Sequence, residues 1–421
     1  MKHTFLSQIQ AIVPVFVALS VMLSACSISV PHNNAPSNTS TNESEANLSV
    51  EISHIAYGDF LSSRVATPNG LYLLQNIYPA CTSLCYIDMQ AQQEIFLCSN
   101  PNCTHSSANC NAYLPVNDDY FSYALAYYKD NLYIFRTAGS DEQAPSLTEM
   151  SLDGSNKRTI LELQSGESFY GRAYGCNDAI LAEISHVDKD GNVTLTLEKI
   201  DLQNGSRVNL LTYPTSSYYS AITTVANQLV YVTNSNSKTQ LFLYDINSRK
   251  ELTSAAKENV LCEPFDGVNV SFIVNDPYLC GMTQADKKVT CQNLLTGQEL
   301  TFCFPPTKAD EIVRGILPLY DQTFALTIEK GGTPVECLFD IETGQLTGVE
   351  YAQTKTDMNQ LVAEFGDKLL YQQAISERPL VHADQYGLVN EMCYLDQFAV
   401  VSKSDFEKGI KGQPITPLVI D

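Results

Sequence analysis

From residue 51 onward the chain alternates short apolar runs with polar turns, and one combination recurs, a polar pair followed at once by an apolar strand. It reads Asn69-Gly70-Leu71-Tyr72, Asp130-Asn131-Leu132-Tyr133, Asn177-Asp178-Ala179-Ile180, Asn227-Gln228-Leu229-Val230, Asn275-Asp276-Pro277-Tyr278, Asp321-Gln322-Thr323-Phe324 and Asp367-Lys368-Leu369-Leu370. Between the third residues the spacings are 61, 47, 50, 48, 46 and 46 residues. A second signature follows in phase: Tyr86-Ile87-Asp88, Leu152-Asp153-Gly154, Asp201 to Gly205, Tyr244-Asp245-Ile246, Asn293 to Gly297 and Asp340 to Gly344. Asp or Asn initiates a turn there and Gly, where present, supplies a positive φ, so each unit predicts about four short hairpin-linked strands. A unit of this size buries its faces only against its neighbours. The pattern therefore predicts an all-β fold, a β-propeller of seven blades, with six or eight also compatible with the spacing. A large sandwich of unrelated hairpins is the alternative. A strand near Leu48 to Ile52 is expected to complete the last unit, which ends near Phe398-Ala399-Val400-Val401. Helix-like stretches such as Ser404 to Lys411 are short.

The N-terminus has a different pattern. Behind Lys2 an apolar run from Ala11 closes on Leu23-Ser24-Ala25-Cys26, the layout of a secretory signal. Small residues before a cysteine resemble the bacterial lipobox. That resemblance implies that residues 1–25 are removed and that Cys26 is acylated, palmitate-fashion, tethering the chain to the extracytoplasmic face of a bacterial membrane. Residues 26–50 then form a stalk rich in Ser, Asn, Thr and Pro, too poor in apolar side chains to fold. Residues 51–421 read as one body. After residue 26 no apolar stretch approaches the ~20 residues that cross a bilayer, so the lipid is the expected anchor. Charge narrows the partners: the chain carries −22, and without Lys2 it has 24 basic against 47 acidic residues, with no basic run. Nucleic acid and anionic headgroups are excluded as partners on that ground.

The first interval exceeds the others by about 13 residues, and the excess coincides with Cys81, Cys85, Cys98, Cys103 and Cys110, with His105 among them. The Cys-rich insertion is placed at about 98–119. Three thiols and an imidazole on one loop suit tetrahedral zinc. In an exported chain disulfides compete, and with Cys26 acylated twelve of the 13 cysteines remain, an even set. Cys280, Cys291 and Cys303 fall in one unit, where neighbouring strands can bring two of them together. The segment Leu97-Cys98, Pro101, Cys103, His105, Cys110-Asn111-Ala112, following a Tyr-Ile-Asp hairpin, resembles one in uncharacterised surface lipoproteins of Gram-positive bacteria that are expected to be β-propellers. The resemblance implies an extracytoplasmic binding or sensing role and supplies no catalytic residues.

Seven positions before each reference residue the first strand of a unit places Leu125, Ile222, Val270, Ile316 and Val362, but Arg64 and Arg172 in the other two units. Arg314 lies two residues earlier in its own unit. A guanidinium at an otherwise apolar position needs a carboxylate or a ligand anion, so these three mark either an axial anion or sugar-acid site or internal ion pairs. Nucleophile-elbow, zincin and phosphate-loop motifs are absent. His54, His105, His186 and His382 each stand alone in sequence, and Trp is absent. The expected role is a tethered binding or scaffolding propeller for a protein, peptide or glycan. The alternative is a glycan-directed hydrolase or lyase using the axial arginines and carboxylates.

Overall fold

The computed structural model describes residues 52–420 apart from 56–60, 79–80, 101, 116–122, 138–142, 214–217, 226–227, 236–237, 247–249, 253–271, 276–277, 284–287, 294–295, 297, 304–310, 321–322, 331–332, 341–342, 344–345, 352–359 and 385–386; for many strand residues beyond 217 only the backbone is described. Cys26, the stalk and Leu48 to Glu51 lie outside the described residues.

The chain is all-β, and its strands form antiparallel sheets in chain order. After β1 (Ile52–His54), the first sheet holds β2 (Arg64–Thr67), β3 (Gly70–Tyr78), β4 (Cys81–Asp88) and β5 (Gln93–Phe96), with β6 (Tyr113–Pro115) also on β4. The second has β7 (Tyr123–Tyr128), β8 (Asn131–Arg136), β9 (Ser146–Ser151) and β10 (Arg158–Glu162). The third has β11 (Glu167–Cys176), β12 (Ala179–Val187), β13 (Val193–Asp201) and β14 (Arg207–Thr212). In the fourth are β15 (Tyr218–Val225), β16 (Gln228–Ser235), β17 (Lys238–Asp245) and β18 (Lys250–Leu252), and in the fifth β19 (Phe272–Asn275), β20 (Tyr278–Thr283), β21 (Lys288–Asn293) and β22 (Glu299–Cys303). The sixth comprises β23 (Glu311–Tyr320), β24 (Thr323–Lys330), β25 (Thr333–Asp340) and β26 (Leu346–Tyr351). The seventh comprises β27 (Gln360–Phe365), β28 (Lys368–Asp384), β29 (Gly387–Ser402) and β30 (Gln413–Pro414). A short helix, α1 (Lys403–Phe406), is capped by the Ser402 hydroxyl. Among the described residues no helix is long and apolar enough to cross a membrane.

Local chemistry accounts for the hairpins. Lys129 and Asp130, between β7 and β8, both have positive φ, which matches the right-handed twist of the flanking strands. The second signature is a recurring side-chain turn. Asp88, Asp153, Asp201, Asn293 and Asp340 each accept a backbone N–H two or three residues on, capping the turn between third and fourth strands. Gly154 adds a packing role. It sits at φ +81°, and a Cβ there would lie 2.8 Å from the Leu97 carbonyl oxygen, so the second sheet approaches the first through a glycine.

Neighbouring sheets share cores. Leu71, Leu84, Leu125 and Met150 join the first two, Phe135, Phe169, Ala182 and Ile184 the second and third, and Tyr174, Leu181, Leu229 and Tyr244 the third and fourth. The seventh sheet packs on the first: Val362, Leu370, Phe398 and Val400 belong to the same cluster as Leu71. Chain segments reinforce that seam, since Glu94 N–H donates to the Thr416 carbonyl and Thr416 N–H to that of Gln92.

Two expectations are corrected. Residues 52–54 do not complete the seventh sheet. β1 pairs with β11 of the third, Ile52 opposite Cys176 and His54 opposite Tyr174, because β30 already occupies the edge beside β29. The segment continues along first strands, its Ile55 carbonyl accepting from Tyr127 N–H and its Leu61 N–H donating to Gly171. The insertion is also narrower than 98–119. β5 and β6 both pair with β4, so residues 97–112 interrupt what is otherwise one outer strand.

Candidate metal centre and its surroundings

The interruption in the first sheet's outer strand carries the soft donors. Leu97 still bonds to β4, its N–H reaching the Leu84 carbonyl, and then Cys98 leaves the sheet. Turns carry the loop back: Cys103 N–H donates to Asn100, Cys110 N–H to Ser107 and Tyr113 N–H to Cys110. These turns converge Cys98, Cys103, His105 and Cys110, whose four ligand atoms lie within 4.8 Å of one another, an arrangement able to hold a metal ion. His105 Nδ1 is 3.4 Å from Cys110 Sγ, and His105 N–H points at Cys103 Sγ at 3.4 Å. The imidazole stacks on Phe96, centroids 4.2 Å apart and planes 16° from parallel, while the His105 backbone holds φ 58°. Cys110 is buried and the other three are half-buried.

The thiols are not equivalent. The hydrogen bond from the His105 amide lowers the Cys103 thiol, whereas burial pushes Cys110 up to about 12. A bound cation reverses such a penalty, because only the thiolate is a ligand. Cys81 and Cys85 stay outside the cluster. Both are buried on β4, Cys85 opposite Leu73 and Phe96, and burial raises its thiol well above the ordinary range. Cys85, Cys98, Cys103, Cys110 and Cys176 carry free thiols. Cys280 and Cys291 are opposite in register on β20 and β21, with their side chains outside the description.

The arginines separate. Arg64, on β2, forms an ion pair with Asp396 of β29, donates to Gln372 Oε1 at 3.2 Å and lies over the Phe398 ring. It therefore belongs to the seam between first and seventh sheets. Glu94 lies in the same seam, 3% exposed. Burial raises its carboxyl to about 7, a Gln75 hydrogen bond opposing and Asp396 adding to the shift. Arg172 is buried in an irregularity of β11 between Phe169 and Ala173. Its backbone N–H donates to Glu183, whose other oxygen accepts from Tyr213 at 3.2 Å. Gly171, at φ +74°, makes room for that carboxylate, since a Cβ would lie 2.3 Å from it. Arg314 falls in the matching irregularity of β23, between Val313 and Gly315, and its side chain is outside the description.

One group of polar residues escapes linear reading. On the third sheet His186 lies between two glutamates, Nδ1 3.1 Å from Glu167 and Nε2 3.3 Å from Glu198. Arg207 grips Glu167 with two nitrogens, at 2.9 and 3.0 Å, and Thr196 bridges His186 and Glu198. Burial works against ionised Glu167, yet the Arg207 hydrogen bonds hold it below the usual carboxylate range. Glu167, His186, Glu198 and Arg207 come from four successive strands. Only strand register, with Glu167 opposite His186 and Glu198 opposite Asn209, two residues from Arg207, brings them together.

No family model and no curated protein matches the chain. Solved structures align with it. An oligogalacturonate lyase in complex with manganese aligns at a TM-score of 0.50 and 9% identity, covering 85% of this chain and 92% of that one. The Pyrococcus horikoshii acylaminoacyl peptidase aligns at 0.46 and 11%, over 81% of this chain; the chain spans 57% of the peptidase. An oligogalacturonate lyase from Vibrio parahaemolyticus aligns at 0.45 and 10%, covering 83% of this chain and 94% of that one.

Proposed function

We propose that this chain is a lipid-anchored binding platform on the extracytoplasmic face of a bacterial membrane, built as a seven-bladed β-propeller. Among the described residues seven antiparallel sheets follow one another along the chain, the last packed on the first, and they carry this reading, because a ring of such sheets is a rigid frame that presents loops. The lipobox-like end at Cys26 and the Ser/Asn-rich stretch behind it support an anchor and a stalk that hold the frame off the membrane surface. Its ligand is a protein, peptide or glycan, since the chain has no basic run and its 23 tyrosines suit stacking on sugars or peptides. The Cys98, Cys103, His105 and Cys110 loop holds a metal ion, and three sulfurs with one imidazole favour zinc. Arg64 is engaged with Asp396, which supports a structural role for that guanidinium.

Labelling cells with a palmitate analogue tests the anchor: the chain is labelled, and Cys26→Ala abolishes the label and releases the protein. A glycan and peptide array probed with the purified chain tests the platform. Saturable binding to one ligand class is expected, and no binding together with substrate turnover overturns the reading.

A second reading, a glycan-directed lyase or hydrolase, draws support from the fold shared with an oligogalacturonate lyase and from His186 held between Glu167 and Glu198. Incubation with acidic oligosaccharides decides it. Formation of unsaturated sugars that His186→Ala abolishes establishes the enzyme, and unchanged oligosaccharides remove it.

A further inference from the structure

The Cys/His loop occupies a place that gives a bound ion a definite task. β4 is paired at its far end by β5 and at its start by β6, and the 16 residues 97–112 between them carry all four donors. Leu97, Cys110, Ala112 and Leu114 are buried in the core shared by the first and second sheets, while residues 99, 100, 102, 104 and 106–109 are exposed. The exposed part thus has no core of its own. The two ends are held by β4, Leu97 N–H donating to the Leu84 carbonyl and Leu84 N–H to that of Ala112, whereas the donors within the exposed part are three sulfurs and a ring nitrogen, and neutral thiols attract one another only weakly.

We infer that residues Cys98, Cys103, His105 and Cys110 form a closed, structural zinc site that staples the two halves of the first sheet's outer strand. This inference rests on the metal reading above and goes on to say what the ion does. Tetrahedral zinc with Zn–S near 2.3 Å and Zn–N near 2.0 Å sets its ligand atoms about 3.5–3.8 Å apart. The observed ceiling of 4.8 Å and the 3.4 Å between His105 Nδ1 and Cys110 Sγ bracket that span. Three cysteines and one histidine fill four positions, which leaves none for water or substrate and marks the site as structural. Supporting contacts are in place. Phe96 fixes the plane of the imidazole, and the His105 N–H already points at the Cys103 sulfur, the kind of outer contact that stabilises a thiolate ligand. A zinc ion with three thiolates carries a net negative charge, and Lys157 lies within electrostatic reach of Cys110.

Ligand order matches strand order. Cys98 follows β5 by two residues and Cys110 precedes β6 by three, so an ion bound to both ties the loop to the two half-strands that β4 already aligns. Cys103 and His105, from the middle of the loop, close the coordination and pull the exposed turn onto Phe96. Because Leu97 also meets Gly154, the staple borders the outer contact between first and second sheets.

The test uses the full chain, extracted in detergent under reducing conditions, with zinc measured by mass spectrometry and the loop probed by limited proteolysis with and without a strong zinc chelator. One zinc per chain is expected, falling at least tenfold in Cys98→Ser and in Cys110→Ser. Chelation is expected to raise cleavage within residues 97–112 by about tenfold or more, while cleavage elsewhere stays unchanged. Cys81→Ser, outside the cluster, is expected to keep its zinc. Less than a tenth of an equivalent of metal, with the loop cysteines paired as disulfides, overturns the metal reading itself. One zinc per chain with cleavage unaffected by chelation, or with the whole chain becoming susceptible at once, leaves the metal in place and overturns the staple.

Discussion

The first and third sheets each hold a cluster of polar side chains against their outer strands, yet they satisfy those groups in opposite ways. In the third sheet Glu167 and Glu198 find Arg207, His186 and Thr196 within the same four strands, and β14 runs unbroken over Arg207–Thr212. In the first sheet Glu94 is buried beside the neutral Gln75, Arg64 is taken by Asp396 of the seventh sheet, and the outer strand is split by four soft donors. The third sheet satisfies these charges within its own strands. The first relies on components from outside its own strands, the seventh sheet on one side and, on the reading above, a zinc ion on the other.

If the third sheet is self-sufficient, packing rather than charge dominates its stability. Phe169 is buried and meets Phe135 edge-on at 5.1 Å. Phe169→Ala is expected to cost about 3–5 kcal/mol in chemical denaturation, the largest effect in the set. Next comes the ionic cluster: Glu167→Gln removes the bidentate contact with Arg207 and is expected to cost about 2 kcal/mol, reduced from a fully buried pair because Arg207 is 22% exposed at its side chain. A loss below about 0.5 kcal/mol in that variant would erase the contrast.

The first sheet makes the matching pH prediction. Glu94 has a folded pKa of about 7, above the ~4.3 of an unfolded glutamate, so the folded state binds its proton more tightly. The stabilisation is complete below about pH 4.3 and lost as pH rises through 7. Between pH 5 and 8 the melting temperature is expected to fall by an amount equivalent to about 1–2 kcal/mol, and Glu94→Gln is expected to flatten that slope. The smallest effect is at the tie between first and second sheets. Tyr72 donates its hydroxyl to the Leu152 carbonyl at 2.9 Å, and Tyr72→Phe is expected to cost about 1 kcal/mol.

Much of this was legible in the sequence because the repeat is a backbone requirement. Asp88, Asp153, Asp201, Asn293 and Asp340 recur where a turn needs an acceptor, and the paired polar residues recur where strands reverse, so strand number and order follow from spacing alone. The Cys/His loop announced itself by breaking that spacing. Sequence could not say that Cys81 and Cys85 belong to a different environment, since proximity along the chain hides the turn of Cys98 away from β4. The third-sheet cluster was invisible for the converse reason. His186 stands 19 residues from Glu167 and 21 from Arg207, and only antiparallel register joins them. The long β28–β29 hairpin, 17 and 16 residues where other units use ten or fewer, escaped because its extra length adds no new turn signal.

The most direct measurement is X-ray absorption at the zinc edge on the purified full chain. The account predicts one ion per chain in a four-coordinate shell of three sulfurs near 2.3 Å and one nitrogen near 2.0 Å. A shell of oxygens and nitrogens, or a chain without zinc whose loop cysteines are oxidised, would contradict it.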